Sequence, residues 1–202
     1  NQVILDVGCG GGHYLISLDK ILKIPFNYYG IDATEYYIKL ARSAFEQDSN
    51  KNPLRKSFKF EVGDIFQLPI KDNYADVVMC NNVLLHLPSI EKPISELWRV
   101  TKKHLIIRAL IGKTSFRIKH INPPEEYTNE GEPVNFHFFN IYSQEYILKL
   151  ANELDGVENY KLIEDGDYNP CNIGDSNYEK RDKPHDLTTI VNGMQVNNYI
   201  IQ

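Results

Sequence analysis

Short apolar, β-branched runs alternate through the first half of the chain with longer stretches whose apolar residues recur every three or four positions. Runs of the first kind suit strands and stretches of the second suit amphipathic helices, so their alternation predicts βαβ units folded into a mostly parallel sheet. Strands are predicted over Gln2 to Val7, Asn27 to Ile31, Ser57 to Val62, Ala75 to Cys80 and His104 to Leu110. The helices between them are predicted over His13 to Leu22, Tyr36 to Glu46 and Pro93 to Val100. On the first, Leu15, Ile16, Leu18, Ile21 and Leu22 share a stripe, and on the second Tyr37, Leu40, Ala41 and Ala44 do.

The rhythm loosens after Ile111. Thr114 to Tyr142 carries Pro123-Pro124, Pro133 and many polar residues, the composition of an insertion draped over a sheet edge. The segment 111–142 is therefore a candidate lid or substrate-side insertion. Ser143 is placed to cap a helix running to Asn152, and Tyr160 to Ile163 is strand-like. After a polar loop, Leu187 to Val191 and Met194 to Ile201 flank Asn192-Gly193, a pair that readily takes the positive φ of a tight hairpin turn. No repeat interrupts these 202 residues, a length suited to one domain, 1–202.

Composition narrows the functional classes. The 42% hydrophobic and 24% charged content is that of a globular chain, and no apolar run approaches the roughly 20 residues needed to cross a bilayer. A net charge of −5 argues against nucleic acid, which is bound largely through Lys and Arg on phosphates. Cys9, Cys80 and Cys171 are odd in number and form no Cys-x-x-Cys pair, so neither a disulfide framework nor a metal centre is expected. Reduced thiols suit a cytoplasmic location.

The chemistry concentrates at strand ends. Ile4-Leu5-Asp6-Val7-Gly8-Cys9-Gly10-Gly11-Gly12 is a buried strand that ends in a glycine-dense turn opening a helix. Such a turn presents bare backbone and free N–H groups to an anionic ligand group. Gly30-Ile31-Asp32 then ends the second strand with a carboxylate, where an acidic side chain accepts hydrogen bonds from ribose hydroxyls. Two adjacent strand ends thus suit a nucleoside. A dinucleotide fingerprint G-x-G-x-x-G would need its third glycine where His13 stands, and no Tyr-x-x-x-Lys pair follows the fourth strand. Both departures disfavour a NAD-linked oxidoreductase or epimerase.

Asp6-Val7-Gly8-Cys9-Gly10-Gly11-Gly12 resembles the first motif of class I S-adenosylmethionine-dependent methyltransferases, and Gly30-Ile31-Asp32 resembles their second. Val62-Gly63-Asp64-Ile65 with Leu68-Pro69 is similar to their third-strand motif. Asp76 to Asn81 with Leu84-Leu85-His86-Leu87-Pro88 is similar to their fourth strand and its loop. The resemblance runs in register from about Val3 to Leu110. It implies a three-layer Rossmann-like α/β sandwich with a mostly parallel seven-stranded sheet and an antiparallel C-terminal hairpin. It also implies a helical segment before Asn1, and S-adenosyl-L-methionine as cofactor with S-adenosyl-L-homocysteine as product. Carried over residue by residue, Asp6 and the backbone of Gly8, Cys9 and Gly10 lie near the methionine portion, Asp32 and Ala33 at the ribose, Asp64 and Ile65 at the adenine, and Asn81 beside the methionine portion or the sulfonium. The family's Pro-Gly-Gly before the fifth strand is replaced by Thr101-Lys102-Lys103.

Methyl transfer from a sulfonium requires alignment above all, and a base only where the acceptor must lose a proton. His86 and His137 are the candidate bases, because imidazole titrates near neutrality and both lie in segments expected above the carboxyl ends of the strands. Phe136, Phe138, Phe139 and Tyr142 form either an aromatic wall for the acceptor or ordinary packing of the insertion. Lys102, Lys103, Arg108, Lys113, Arg117 and Lys119 either attract an acidic acceptor or keep a surface soluble. Acidity favours a small-molecule acceptor over nucleic acid. A nucleoside-cofactor-binding domain without turnover is the reading from another class. The sequence leaves the oligomeric state open.

Overall fold

The structure, a computed structural model, describes residues 1–46, 52–164, 190–191, 194–195 and 197–201. Its first half follows the predicted alternation: β1 (Gln2–Val7), α1 (His13–Ile21), β2 (Phe26–Asp32), α2 (Glu35–Glu46), β3 (Arg55–Val62), β4 (Ala75–Asn81), α3 (Glu91–Val100) and β5 (Thr101–Gly112). Strands β1 to β5 pair in parallel in the order β3-β2-β1-β4-β5. The second half supplies β6 (Lys119–Ile121), β7 (Phe136–Phe138), β8 (Tyr142–Ser143), α4 (Gln144–Glu153), β9 (Leu162–Glu164), β10 (Ile190–Val191), β11 (Met194–Gln195) and β12 (Asn197–Ile201). Strand β12 runs antiparallel beside β5, β9 runs antiparallel beside β12, and the two-residue β8 adds to β5 in parallel.

Period-two alternation in the strands divides the core between two faces. Ile4, Phe26 and Tyr28 point into one cluster with Leu15 of α1 and Ile38, Ala41 and Phe45 of α2. Leu5, Val7, Tyr29 and Ile31 point into the other, with Ile94 and Leu97 of α3 and Ile147 and Leu150 of α4. The result is the expected three-layer sandwich. Burying each such large apolar side chain contributes roughly 1.5–3 kcal/mol.

Several predicted details change. On α2 the buried stripe is Ile38, Ala41 and Phe45, at positions i, i+3 and i+7, while Tyr37 and Leu40 are exposed. On α1 only Leu15 is fully buried, and Ile16 and Ile21 face outward. Helix α3 begins at Glu91, two residues before Pro93, because proline is tolerated in the first turn. Strand β5 begins directly at Thr101, whose hydroxyl donates to Leu97 O at 2.7 Å, and Lys103 pairs with Asp76 on β4. No glycine turn is needed, because Thr101 is already extended as it leaves the helix. Ser143 caps α4 as predicted, accepting from Tyr146 N at 3.2 Å. The C-terminal segment expected as one strand from Met194 to Ile201 is split. Among the described residues β11 pairs with β10 alone, while β12 enters the main sheet. The Asn192-Gly193 turn, the loop from Asn169 to Pro184 and Cys171 lie outside the described residues.

Candidate functional site

Because β1 to β5 are parallel, their carboxyl ends share one edge of the sheet. Val7 lies opposite Ile31, Asp32 opposite Val62, and Asn81 opposite Arg108. The strand order reverses about β1, with β2 and β3 on one side and β4 and β5 on the other, and such a reversal opens a crevice outside the strand ends.

The turn after β1 stands at that reversal. Gly8 N and Cys9 N both donate to Ile31 O, at 2.7 and 3.0 Å, which fastens the turn to the end of β2. Gly8 has φ 80°, and a Cβ there would run into Val83 of the loop after β4. Gly10 has φ 50° and open space where its Cβ would be. Backbone is thus presented bare at Gly10. Across the turn, Asp32 Oδ2 accepts Gly10 N–H at 2.9 Å and Oδ1 accepts Thr34 N–H at 2.8 Å. Its carboxylate is thereby fixed in direction, with lone pairs left for further donors. Ala33, beside it, is exposed.

Asp6 is different. It presents no surface to solvent, one oxygen accepts Tyr28 O–H at 2.6 Å, and Oδ1 has no hydrogen-bond partner among the described residues. Burial pushes its pKa up to about 7, the Tyr28 hydroxyl pulls it down, and repulsion from Asp32 adds to the rise. The same burial, with Asp6 and Asp32 adding to it, pushes the Cys9 thiol well up, and Cys80 behaves alike. Both cysteines are free and buried, the opposite of an activated nucleophile.

Of the remaining predicted cofactor residues, Asp64 is exposed and turns one oxygen onto Phe66 N at 2.9 Å. Ile65 is buried in the core. Asn81 is half-buried at the end of β4, and the next residue, Asn82, has φ 57° and donates its N–H to Arg108 O.

The loop after β4 forms a 3₁₀ turn, Leu84–His86, and the insertion closes upon it. Strands β6 and β7 pair as an antiparallel hairpin. Buried Asn140 is the clasp: its N–H donates to Leu85 O and its Nδ2 to Leu87 O, both at 2.8 Å, while Oδ1 accepts Ile118 N–H. Tyr142 O–H donates to Leu84 O at 3.1 Å, and Arg117 donates to Pro88 O.

This closure brings the two predicted histidines together. His86 Nδ1 lies 3.1 Å from Phe138 O. A carbonyl can only accept, so Nδ1 carries the proton and Nε2 of the neutral ring is bare. His137 Nδ1 lies 2.9 Å from Asn122 Oδ1, which gives it the same tautomer. The two rings are 6.5 Å apart, and His120 stacks 4.6 Å from His137. Among the described residues no group of three or more His, Cys, Asp or Glu is arranged to hold a metal ion. Thr34, Val83, His120, Asn122 and Asn140 were not singled out from the sequence. Thr34 acts through Asp32 two residues away and left a local signal, the Asx-type turn at Asp32-Ala33-Thr34, whereas the other four act through neighbours far along the chain.

A cavity of about 660 Å³ lies elsewhere, between α3, the start of β5 and α4, lined by Trp98, Thr101, His104 and Leu154 among others. It holds none of the predicted site residues and sits at the amino end of β5, away from the strand ends that carry the turn.

Residues 5–107 match the family model of the methyltransferase domain. A demethylmenaquinone methyltransferase of Lactiplantibacillus plantarum is 33% identical over 104 residues, covering 50% of this chain and 41% of that protein. A sterol 24-C-methyltransferase of Pneumocystis carinii is 32% identical over 101 residues, covering 50% of this chain and 25% of that protein. The alignments thus span a quarter to two fifths of these relatives. A SAM-dependent methyltransferase from Methanosarcina mazei superposes with a TM-score of 0.64 at 18% identity, covering 100% of this chain and 91% of that one, which shows the shared fold.

Proposed function

This chain belongs to the methyltransferase domain family, and on that footing we propose that it transfers a methyl group from S-adenosylmethionine to a small-molecule acceptor. The observation that carries the proposal is the bare backbone at Gly10 with the Asp32 carboxylate fastened beside it, across two parallel strand ends. This cradle fits a nucleoside bearing an amino-acid tail: the free N–H groups of the helix start favour its carboxylate, Asp32 and Ala33 its ribose, Asp64 and Ile65 its adenine, and Asn81 with Gly8, Cys9 and Gly10 its methionine part. The orphaned oxygen of buried Asp6, two residues before Gly8, fits a cationic ligand. When bound, the cofactor supplies an electrophilic methyl on a sulfonium, which leaves as a neutral thioether.

The chain's own part is to align the reactants, exclude water and take up a proton. The insertion 111–142, clasped over the loop after β4, serves as the lid on the acceptor side, where closure favours near-attack geometry. His86 and His137, each with Nδ1 tied down and Nε2 bare, take the proton from a hydroxyl or ammonium acceptor. The sterol and demethylmenaquinone methyltransferases among the relatives support a small-molecule acceptor.

Calorimetric titration with S-adenosylmethionine, S-adenosylhomocysteine and NAD tests the proposal. Micromolar binding of the first two is expected, and binding of NAD alone overturns the assignment. Asp32→Ala is expected to weaken cofactor binding by roughly 1–3 kcal/mol, the cost of losing a charged hydrogen-bond partner. Unchanged affinity in a folded variant would remove Asp32 from the site.

A further inference from the structure

Ionising Asp6 in the free protein is disfavoured on three grounds visible in its surroundings. The side chain is fully buried, and among the described residues its only hydrogen-bond donor is Tyr28 O–H and Oδ1 is without a partner. A buried carboxylate with so little compensation takes up a proton instead. The titratable groups acting with it are Tyr28 and Asp32 from β2, Cys9 from the turn and Cys80 from β4. None of these carries a positive charge, and Asp32 repels the ionised form.

Asp6 also lies two residues before Gly8, on the strand that delivers the glycine turn. A ligand settling over that turn with an ammonium or sulfonium brings positive charge to the place where the free protein lacks it. Resting on the function proposed above, we propose that Asp6 stands protonated in the free protein and gives up that proton when the cationic nucleoside binds, so that cofactor capture and proton release are one equilibrium. The carboxyl O–H bond breaks, the proton passes to solvent, and the carboxylate charge left behind is balanced by the ligand's cation. Tyr28 sets the balance, since its hydroxyl is the group that favours the ionised form.

The first consequence is a pH-dependent affinity: below about pH 7 the dissociation constant rises by up to about tenfold per pH unit, because binding must displace a proton. The second is a proton count. Calorimetric titration with S-adenosylmethionine in buffers of different ionisation enthalpy gives the protons released per site. Wild type is expected to release close to one more proton than Asp6→Asn near pH 6, and the excess should vanish well above pH 7. Tyr28→Phe, which keeps the ring, is expected to move the midpoint of that excess to higher pH, a change that loss of packing alone would not produce. Carboxyl carbon NMR of the ligand-free protein should show one aspartate titrating near pH 7, absent from Asp6→Asn.

If wild type and Asp6→Asn bind with the same proton release near pH 6, the inference fails while the cofactor assignment stands. Should Asp6 in the free protein titrate in the ordinary carboxylate range, the inference fails whatever the ligand does. Absence of S-adenosylmethionine binding by folded wild type at every pH overturns the function and this linkage together.

Discussion

The two halves of the site are built by different means. On the side of β1, β2 and β3, backbone does the work: Gly8 and Cys9 donate to Ile31 O, Gly10 donates to Asp32, and these partners come from consecutive βα units, 22 residues apart for Gly10 and Asp32. On the side of β4 and the insertion, side chains clasp carbonyls over separations of more than 50 residues, as in Asn140 to Leu87, His86 to Phe138 and Tyr142 to Leu84. A backbone-built site is constrained by φ and by the absence of Cβ atoms, so it tolerates almost no change. A clasp depends on whether one amide or hydroxyl has its partner, so it loosens in steps.

This contrast can be broken or sharpened by measurement. The largest effect is expected from Gly8→Ala, where a left-handed φ and a collision with Val83 add to roughly 3–5 kcal/mol of lost stability by urea unfolding. Adding Val83→Ala should recover the steric part only, and full recovery would show that φ is not the constraint. Next is the pH dependence of stability. The folded pKa of Asp6, about 7, exceeds its ordinary 3.8, so between these values the folded chain binds more protons than the unfolded one. Its contribution is best at acid pH, declines by on the order of 2–4 kcal/mol as pH rises to about 7, and is level above that. Asp6→Asn should lack this decline, and a parallel decline in the variant would assign it to other groups.

On the clasped side, Asn140→Ala should cost about 2 kcal/mol by leaving Leu87 O and Ile118 N–H unmatched. Hydrogen exchange should then quicken at 84–88 and 116–121, while cofactor affinity stays within about twofold. A large loss of affinity would mean that the two halves are coupled. Smallest is Arg117→Ala, whose exposed bond to Pro88 O should be worth about 0.5 kcal/mol or less in the same unfolding experiment.

The same contrast governs what the sequence revealed. Strand β1 was legible to its exact ends, and the glycine turn with Asp32 could be placed from local spacing, because its geometry is fixed by residues whose φ and strand periodicity are local properties. Strand β5 proved longer at both ends, since Thr101 pairs with Ala75 of β4 and Ile111 and Gly112 pair with β8, partners distant in the chain. The apolar stripe of α2 was misphased because Tyr37 and Leu40, apolar by type, face outward while Ile38 and Phe45 meet the sheet. His86 and His137 could be named but not joined, and Asn122, His120 and Asn140 were silent, because contacts between residues far apart in the chain leave no periodic trace. The division of the C-terminal strand between two sheets was illegible for the same reason.

Leu85, Leu110 and Ile141, with Phe116 and Phe139 packed on them, form a small core of their own, separate from the two that face the sheet. The insertion therefore stands on a private foundation, reached from the end of β5 and left through β8. In engineering terms this is a head seated in its own socket. Residues between Gly112 and Tyr142 meet the rest of the chain through that small core, through the clasps on the carbonyls of Leu84, Leu85, Leu87 and Pro88, and through the pairing of β8 with β5, so a stretch grafted there has those contacts to match and, among the described residues, none in the glycine turn to disturb.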